Sequence, residues 1–308
     1  MTAMNILTHP LCAEHLVPEG HPERPDRITS LIDHLRQTGL TDDYPLLRAS
    51  SAAAEDILRA HPAAYLGELE SLKPDSGVIP VDPDTWLSPH SLDAALVAAG
   101  SVCDGVSQVM AGETSKVFCA VRPPGHHAER EGAMGFCLYN SIAIGALKAL
   151  TYAGIDRVAV LDFDVHHGNG TVDIFRNQPQ VLVCSSFQHP YYPNRMHDVD
   201  APNIVHSPLP AGSGSNEFRA AIERDWLPAL ERHQPQFIFI SAGFDAHASD
   251  PLANLNLSTQ DFTWVTELIR DSARQYAQGR VVSALEGGYD LNALAASVTA
   301  HLEALAQN

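Results

Sequence analysis

Apolar and polar residues follow two recurring patterns along the chain. Short apolar runs bounded by turn residues indicate buried strands, and apolar residues spaced three and four apart indicate helices. Strands are predicted at 5–8, 116–121, 157–161, 180–184, 236–240 and 280–285. Helices are predicted at 26–38, 51–60, 91–111, 141–152, 172–176, 215–233, 259–278 and 291–306. Because strands and helices alternate from residue 116 onwards, we expect crossover connections and a parallel sheet.

Two segments that lack both patterns are predicted to be loops. Residues 74–89 form a turn-rich stretch around Trp86, and residues 187–210 separate a strand from a helix. We find no internal repeat and no linker. The sequence therefore predicts one α/β domain over residues 1–308, with a central, mostly parallel β-sheet flanked by helices.

The composition indicates where the protein resides and which partners its charge disfavours. The chain of 308 residues is 45% hydrophobic, yet it has no apolar stretch as long as a membrane span. It shows no secretory leader, and its five cysteines are scattered without paired spacing, which predicts a cytoplasmic protein with reduced thiols. The net charge of −18 argues against direct binding to nucleic acid or to an anionic membrane. The composition is compatible with a monomer or an oligomer.

The most unusual stretch is residues 158–170, where a valine-rich run ends in carboxylates, histidines and glycines. It predicts a buried strand that opens into a loop. Since side chains alternate along a strand, Asp162, Asp164 and His166 should lie on one side, opposite Phe163 and Val165. Three ionisable groups at a buried strand end are costly unless they are paired or bind a metal. We therefore expect a divalent metal such as zinc, with a hydrogen-bonded loop network as the alternative.

Further groups of polar residues follow other predicted strands, at 122–127, 241–245 and 286–289. Parallel strands end at one edge of a sheet, so these segments should meet beside residues 158–170. Asp245 is then the expected third ligand, which leaves a coordination position for water and substrate, as in catalytic zinc sites. A helix N-cap or turn is its alternative role.

Two histidines and a tyrosine add the groups that a hydrolytic reaction needs. His126 and His127 follow a Pro-Pro-Gly turn and offer a general base and a second proton-handling group, with Asp162 and Asn169 as available orienting partners. Tyr289 follows two glycines and is suited to donate a hydrogen bond to an oxyanion, unless it is a packing residue. These features predict metal-assisted hydrolysis of a carbonyl compound.

Five ordered motifs carry a family resemblance. They are Arg-Pro-Pro-Gly-His-His-Ala (122–128), Gly-Phe-Cys (135–137), Asp-Phe-Asp-Val-His-His-Gly-Asn-Gly (162–170), Ser-Ala-Gly-Phe-Asp (241–245) and Glu-Gly-Gly-Tyr (286–289). From about His21 to the C-terminus the chain resembles the zinc-dependent histone deacetylases, in their bacterial class II-like branch. The resemblance implies the arginase-deacetylase fold, a single α/β domain around a parallel sheet of about eight strands. It also implies removal of acetyl or related acyl groups from protein or peptide lysine.

The resemblance further implies a role for each matching residue. Zinc would lie on Asp164, His166 and Asp245, and iron(II) or cobalt(II) suits the same ligands. The implied catalytic residues are His127 as general base and later acid, His126 as its electrostatic partner bonded to Asp162, Asn169 as the partner of His127, and Tyr289 on the substrate carbonyl. The implied substrate-binding residues are Gly135, Phe136 and Tyr192 in the acyl-lysine tunnel, Leu252 at its rim, and Arg27 on an internal channel for acetate.

The family also binds structural potassium through backbone carbonyls. By similarity this site comprises Asp162, Asp164, His166, Ser185 and Ser186. The chain departs from the usual Ser-Leu-His there, because it has Ser185, Ser186 and Phe187. This departure bears on the shape of the following loop rather than on the zinc chemistry.

Two other functions compete with a lysine deacetylase. An acetylpolyamine amidohydrolase acts on a small acylated amine and typically carries an insertion at the mouth or an acidic gatekeeper, whereas this chain has Leu252 at the corresponding position. A non-catalytic module that only binds acyl-lysine would be favoured by the loss of Tyr289 or His127, and both are present.

Overall fold

An eight-stranded sheet lies at the centre of the protein in a computed structural model that describes residues 4–307. The strands along the chain are β1 (Asn5–Thr8), β2 (Leu46–Arg48), β3 (Ile79–Asp82), β4 (Thr85–Leu87), β5 (Lys116–Cys119), β6 (Val158–Asp162), β7 (Val181–Gln188), β8 (Ile204–Leu209), β9 (Phe237–Ala242) and β10 (Val281–Leu285). Their order across the sheet is β2-β1-β5-β10-β9-β6-β7-β8, and all neighbouring pairs are parallel. β3 and β4 form a separate antiparallel pair.

Helices cover both faces of this sheet. They are α1 (Asp26–Gln37), α2 (Leu40–Asp43), α3 (Ala54–Ala60), α4 (Ala63–Leu72), α5 (Ser91–Met110), α6 (Ser141–Ala149), α7 (Asn169–Phe175), α8 (Ser215–His233), α9 (Thr259–Tyr276) and α10 (Leu291–Ala306), besides a 3-10 helix at Pro10–Ala13. Two consecutive residues of β5 identify the faces, because Val117 lies against α5 whereas Phe118 packs on His301 of α10. Side chains alternate along a strand, so α5 and α10 lie on opposite faces.

The central strands are apolar because both of their faces are covered. Every residue of β6, β9 and β10 is buried, as crossover helices on both sides of a parallel sheet require. α10 begins at a side-chain cap, since the Asp290 carboxylate accepts hydrogen bonds from the N–H groups of Asn292 and Ala293. The cap fixes the chain directly after Tyr289.

The predicted fold class is confirmed. The alternation of strands and helices after residue 116 is present, and the predicted strand at 5–8 and the predicted helices at 215–233 and 291–306 have the observed bounds. The other predicted elements differ by a few residues at one or both ends. The ends of the predicted domain, residues 1–3 and 308, lie outside the described residues.

Both loop predictions are wrong in part. Residues 74–89 contain the β3–β4 hairpin, and residues 187–210 contain the end of β7 and all of β8. β8 is an edge strand that includes Pro208, and three of its residues are not fully buried, so its apolar pattern is weak. β2, α2 and α4 were not predicted either, because they are short or, in α4, interrupted by Gly67.

Two further findings concern composition. All five cysteines are free and buried. Among residues 4–307, no helix combines the length and the apolar character needed to cross a membrane.

Candidate active site

Four neighbouring strands at the middle of the sheet carry the predicted site. β5, β10, β9 and β6 lie side by side, and the motif residues follow their carboxyl ends. His126 and His127 come after β5, Tyr289 after β10, Asp245 after β9, and Asp164 with His166 after β6. The expectation that these segments meet at one edge is therefore confirmed.

The three predicted metal ligands form one buried cluster. One ligand atom from each of Asp164, His166 and Asp245 lies within 4.8 Å of the others. Nδ1 of His166 is 3.0 Å from Oδ1 of Asp164 and 3.2 Å from Oδ2 of Asp245. The backbone N–H groups of Gly287 and Val165 donate to the two carboxylates and hold them in place.

This cluster fits a divalent metal. Among the described residues, Oδ2 of Asp245 is buried and accepts no hydrogen bond, although a buried carboxylate oxygen normally has a partner. A β-carbon at Gly287 would overlap the carboxylates of Asp245 and Asp164, so the backbone leaves these oxygens only the space of a glycine. Two carboxylates and one imidazole are a donor set suited to zinc and to similar ions.

The charges within the cluster favour the same conclusion. Burial lowers the pKa of His166, but the hydrogen bond to Asp164 and the adjacent carboxylate of Asp245 outweigh it and raise this pKa to about 10. Burial and the neighbouring Asp164 raise the pKa of Asp245. A metal needs a neutral imidazole and ionised carboxylates, so it would replace protons at this site.

The adjacent histidines have different partners and different charges. Nδ1 of His126 is 2.9 Å from Oδ2 of Asp162, and Nδ1 of His127 is 2.7 Å from Oδ1 of Asn169. Burial lowers the pKa of His126, but the carboxylates of Asp164 and Asp162 outweigh it and raise this pKa well above its usual value. For His127, burial and the neighbouring His126 lower the pKa well below its usual value. These opposite shifts favour the imidazolium form of His126 and the neutral form of His127.

A cavity of about 180 Å³ leads to these groups. It is lined by Asp84, His127, Gly135, Phe136, His166, Tyr191, Tyr192, Leu252 and Tyr289. Gly135 has a φ of +57°, and a β-carbon there would overlap the His127 ring. Only glycine therefore lets the backbone at position 135 approach this ring so closely. All of the predicted substrate-binding residues except Arg27 line this cavity.

Arg27 lies behind the cavity and supports the loop that carries Tyr289. Its guanidinium carbon is 4.8 Å from the centre of the Tyr289 ring. Its Nε donates to the carbonyl of Gly288, and its Nη2 donates to the carbonyl of Glu286, each at 2.6 Å. Glu23 neutralises this buried cation at 3.0 Å. The predicted position of Arg27 on an acetate channel stays a prediction.

The predicted potassium residues lie at the ends of two paired strands. Asp162 is opposite Ser185 in the β6–β7 register, and Ser186 follows. Within residues 4–307, the buried Oγ of Ser185 has no hydrogen-bond partner, which fits an additional ligand there. Phe187 packs its ring edge-on to His167, with 4.6 Å between ring centres. The departure from the family pattern is therefore a hydrophobic contact beside the site.

Sequence reasoning missed four residues of the site. Asp84 and Tyr191 line the cavity, Glu286 accepts hydrogen bonds from the N–H groups of Gly125 and His126, and Glu129 contacts Asn169. Glu286 begins the motif at 286–289, and Glu129 directly follows the motif at 122–128. Their places beside these motifs could have marked both as candidate site residues. Asp84 lies on the β3–β4 hairpin, far from every motif.

A second, larger cavity lies away from these groups. Its volume is about 570 Å³, and it is lined by α1, by β2 and by the end of β1 with the residues that follow it. The metal-ligand cluster and both motif histidines lie outside it. We therefore place the chemistry in the smaller cavity.

Comparison with known proteins identifies the family. A family model described as the histone deacetylase domain matches residues 21–305. The chain belongs to the histone deacetylase family. This membership, together with relatives described as deacetylases and amidohydrolases, makes the protein a hydrolase that acts on amide bonds.

Several histone deacetylase relatives match most of the chain. It is 39% identical to a histone deacetylase-like amidohydrolase of Pseudomonas aeruginosa, over 88% of this chain and 73% of that protein. It is 36% identical to type-2 histone deacetylase 2 of Dictyostelium discoideum over 97% of this chain, but the match spans only 20% of that protein. The crystal structure of the HDA15 HD domain superposes with a TM-score of 0.93 at 30% identity, covering 99% of this chain and 90% of that chain.

Proposed function

We propose that the protein is a zinc-dependent lysine deacetylase that removes acetyl or related acyl groups from the lysine side chains of proteins or peptides. One observation carries the proposal: His166 of the candidate metal-ligand cluster, His127 and Tyr289 line one cavity together with the aromatic residues Phe136 and Tyr192. The aromatic walls of that cavity suit the aliphatic stem of an acyl-lysine. A cytoplasmic location stays a prediction.

The proposed metal ligands are Asp164, His166 and Asp245. When bound there, zinc supplies Lewis-acid polarisation of the amide carbonyl and activation of a water molecule. Iron(II) or cobalt(II) would serve in the same role. A structural potassium ion on the carbonyls of Asp162, Asp164, His166, Ser185 and Ser186 is part of the proposal, supported by the unpartnered Ser185 hydroxyl.

The two histidines divide the proton handling. His127 is neutral and takes the proton from the attacking water, and it later gives that proton to the departing lysine amine. His126 keeps its positive charge through Asp162 and stabilises the negative charge that develops nearby. Asn169 holds the His127 ring from the side opposite the cavity.

Tyr289 and the cavity walls act on the substrate itself. The phenol donates a hydrogen bond to the carbonyl oxygen as negative charge develops on it. Phe136 and Tyr192 enclose the acyl-lysine stem, and Gly135 lets the wall approach His127. Excluding water from this narrow space strengthens each of these polar contacts.

One observation favours acetylpolyamine hydrolysis as a second candidate. The carboxylate of Asp84 belongs to the cavity lining, and a second ammonium of a polyamine would find an acid there. Oδ1 of Asp84, however, already accepts hydrogen bonds from the N–H of Gly135 and the hydroxyl of Thr85. Leu252, on the same lining, offers no charge. We therefore rank this function second.

A turnover comparison tests the proposal. We expect kcat/KM to be higher for an acetyl-lysine peptide than for N-acetylputrescine or N8-acetylspermidine, measured on protein of known metal content. His127→Ala should lower kcat by at least ~10², the usual minimum for a general acid–base group. A preference for the polyamines would promote the second candidate, and near-normal turnover by His127→Ala would remove the proposed base.

A further inference from the structure

Hydrogen bonds continue outward from His127 beyond Asn169. Nδ2 of Asn169 donates to Oε1 of Glu129 at 2.8 Å, and Oε2 of Glu129 accepts from Nη2 of Arg195 at 2.9 Å. Asn169 is fully buried, and the Glu129 side chain is 13% exposed, whereas Arg195 is 50% exposed. Glu129 is therefore a nearly buried carboxylate, and one of its oxygens accepts a hydrogen bond from Asn169, the residue that contacts His127.

Glu129 determines which way the Asn169 amide points. A carboxylate only accepts hydrogen bonds, so the NH₂ group of Asn169 must face it. The other neighbours of this NH₂ group, the carbonyl oxygen of His127 at 3.3 Å and the sulfur of Met134 at 3.2 Å, are also acceptors. With the amide reversed, two acceptor oxygens would lie 2.8 Å apart. The carbonyl oxygen of Asn169 is thereby directed at His127.

The direction of that carbonyl determines where His127 carries its proton. A neutral imidazole has one N–H, and a carbonyl oxygen only accepts, so the nitrogen 2.7 Å from Oδ1 of Asn169 must be the protonated one. This nitrogen is Nδ1. Nε2 is then the bare nitrogen and is the one left for the cavity, which is the arrangement that a general base needs.

We propose that Glu129 is a positioning residue: through Asn169 it holds His127 in the tautomer with the proton on Nδ1. The inference rests on the proposed role of His127 as the base. Glu129 belongs neither to the lining of the smaller cavity nor to the candidate metal-ligand cluster, and Asn169 connects its side chain to the His127 ring. Arg195 satisfies the second oxygen of Glu129 and, being half exposed, is not needed for the orientation.

The first variant removes the acceptor and keeps much of the volume. In Glu129→Leu, the Asn169 NH₂ group loses its charged acceptor and keeps only the weaker ones, the His127 carbonyl and the Met134 sulfur. The reversed amide and the second His127 tautomer should therefore become populated. We expect kcat to fall about tenfold to a hundredfold, the usual cost of losing a residue that orients an active-site histidine, with KM nearly unchanged. Arg195→Met is the matched control, because it breaks the outer contact of Glu129 and leaves the contact with Asn169 in place.

If Glu129→Leu folds poorly, a second test exchanges the amide and the carboxylate between positions 129 and 169. Asn169→Asp alone puts two carboxylates side by side, and we expect a loss of similar size. Adding Glu129→Gln supplies an NH₂ donor for the new aspartate and a carbonyl oxygen for Arg195, while the aspartate still accepts from Nδ1 of His127. The double variant should therefore regain at least about tenfold over Asn169→Asp. A residue needed only for folding would give no such rescue.

The tautomer is measured directly by ¹⁵N NMR of histidine-labelled, zinc-loaded protein, with the His127 signals identified by their loss in His127→Asn. We expect a bare Nε2 and a protonated Nδ1 in the wild type, Arg195→Met and the double variant, and a mixture in Glu129→Leu. A single, unchanged tautomer in Glu129→Leu, or an absence of rescue in the double variant, would overturn the inference. Failure of the proposed function is seen separately, as near-normal turnover by His127→Ala.

Discussion

Replacing Tyr289 with phenylalanine removes one hydroxyl from the centre of the proposed reaction. The ring packs edge-on to Phe136, with 5.9 Å between ring centres, and lies under the guanidinium of Arg27. The backbone N–H of Tyr289 donates to Oδ2 of Asp250 at 2.7 Å. Phenylalanine keeps all of these contacts. Within residues 4–307 the phenol oxygen makes no hydrogen bond, so its removal leaves no protein group unsatisfied.

For Tyr289→Phe we therefore expect a small change in stability and a large loss of activity. With packing and backbone contacts intact, the free energy of unfolding should change by no more than about 0.5 kcal/mol. A donor aimed at a developing oxyanion contributes ~2.7–4 kcal/mol to the barrier, so kcat should fall by ~10²–10³. If Tyr289 only packs, both the free energy of unfolding and kcat should stay nearly unchanged.

The assay compares kcat and KM on an acetyl-lysine peptide with urea unfolding and metal content of the same preparations. Tyr191→Phe is the matched control, because Tyr191 lines the same cavity but its hydroxyl donates to the carbonyl of Leu252. We expect this control to lose some stability and to keep kcat within about tenfold. Near-normal kcat in Tyr289→Phe, or equal losses in the two variants, would refute the assigned role of the phenol.

Three further predictions follow from the site and the core. Asp245→Ala should lower metal affinity by orders of magnitude, measured by metal analysis after dialysis, whereas Asp250→Asn should keep the metal; full occupancy in Asp245→Ala would contradict the ligand assignment. Leu252→Glu adds a carboxylate to the cavity lining, where it can pair with the second ammonium of a polyamine. The ratio of kcat/KM for N8-acetylspermidine to kcat/KM for acetyl-lysine peptide should therefore rise about tenfold to a hundredfold. An unchanged ratio would mean that residue 252 does not contact the second ammonium. Burial lowers the pKa of His301 to about 3, so the folded state binds fewer protons than the unfolded state below pH 6.5, and stability is lost as the pH falls from 6.5 towards 3. In urea unfolding between pH 6.5 and 4.5, His301→Gln should make the loss shallower by about 1.4 kcal/mol per pH unit; an equally steep loss would assign it to other groups.

The fold was predictable where packing on both sides imposes a strong pattern. β6, β9 and β10 are buried along their whole length, and their apolar runs identified them. β2 and β8 lie at the two edges of the sheet, where partial exposure removes that signal. The β3–β4 hairpin packs outside the main sheet, and its three- and four-residue strands are too short for a clear alternation.

The site was predictable where function demands particular residue types in sequence. The candidate ligands Asp164 and His166 and the pair His126 and His127 stand in motifs that place several ionisable residues directly after an apolar strand, and this unusual pattern drew attention to them. Asp84 was not predictable, because its place beside the cavity depends on how the β3–β4 hairpin packs against the segment around Gly135, which no local pattern encodes. The hydrogen bond between Glu129 and Asn169 joins residues 40 positions apart, and it forms only because the fold brings the two side chains together.

The position of β10 has a consequence for how the protein comes into being. It lies in the sheet between β5 and β9, yet it is the last strand of the described chain to be synthesised. Until residues 281–285 leave the ribosome, β5 and β9 each expose an edge with unpaired N–H and C=O groups, which are sites for aggregation. Gly287, which holds the Asp164 carboxylate, and Tyr289 arrive later still. The nascent chain therefore completes its sheet and its active site in a single late step, and a truncation before residue 281 leaves neither.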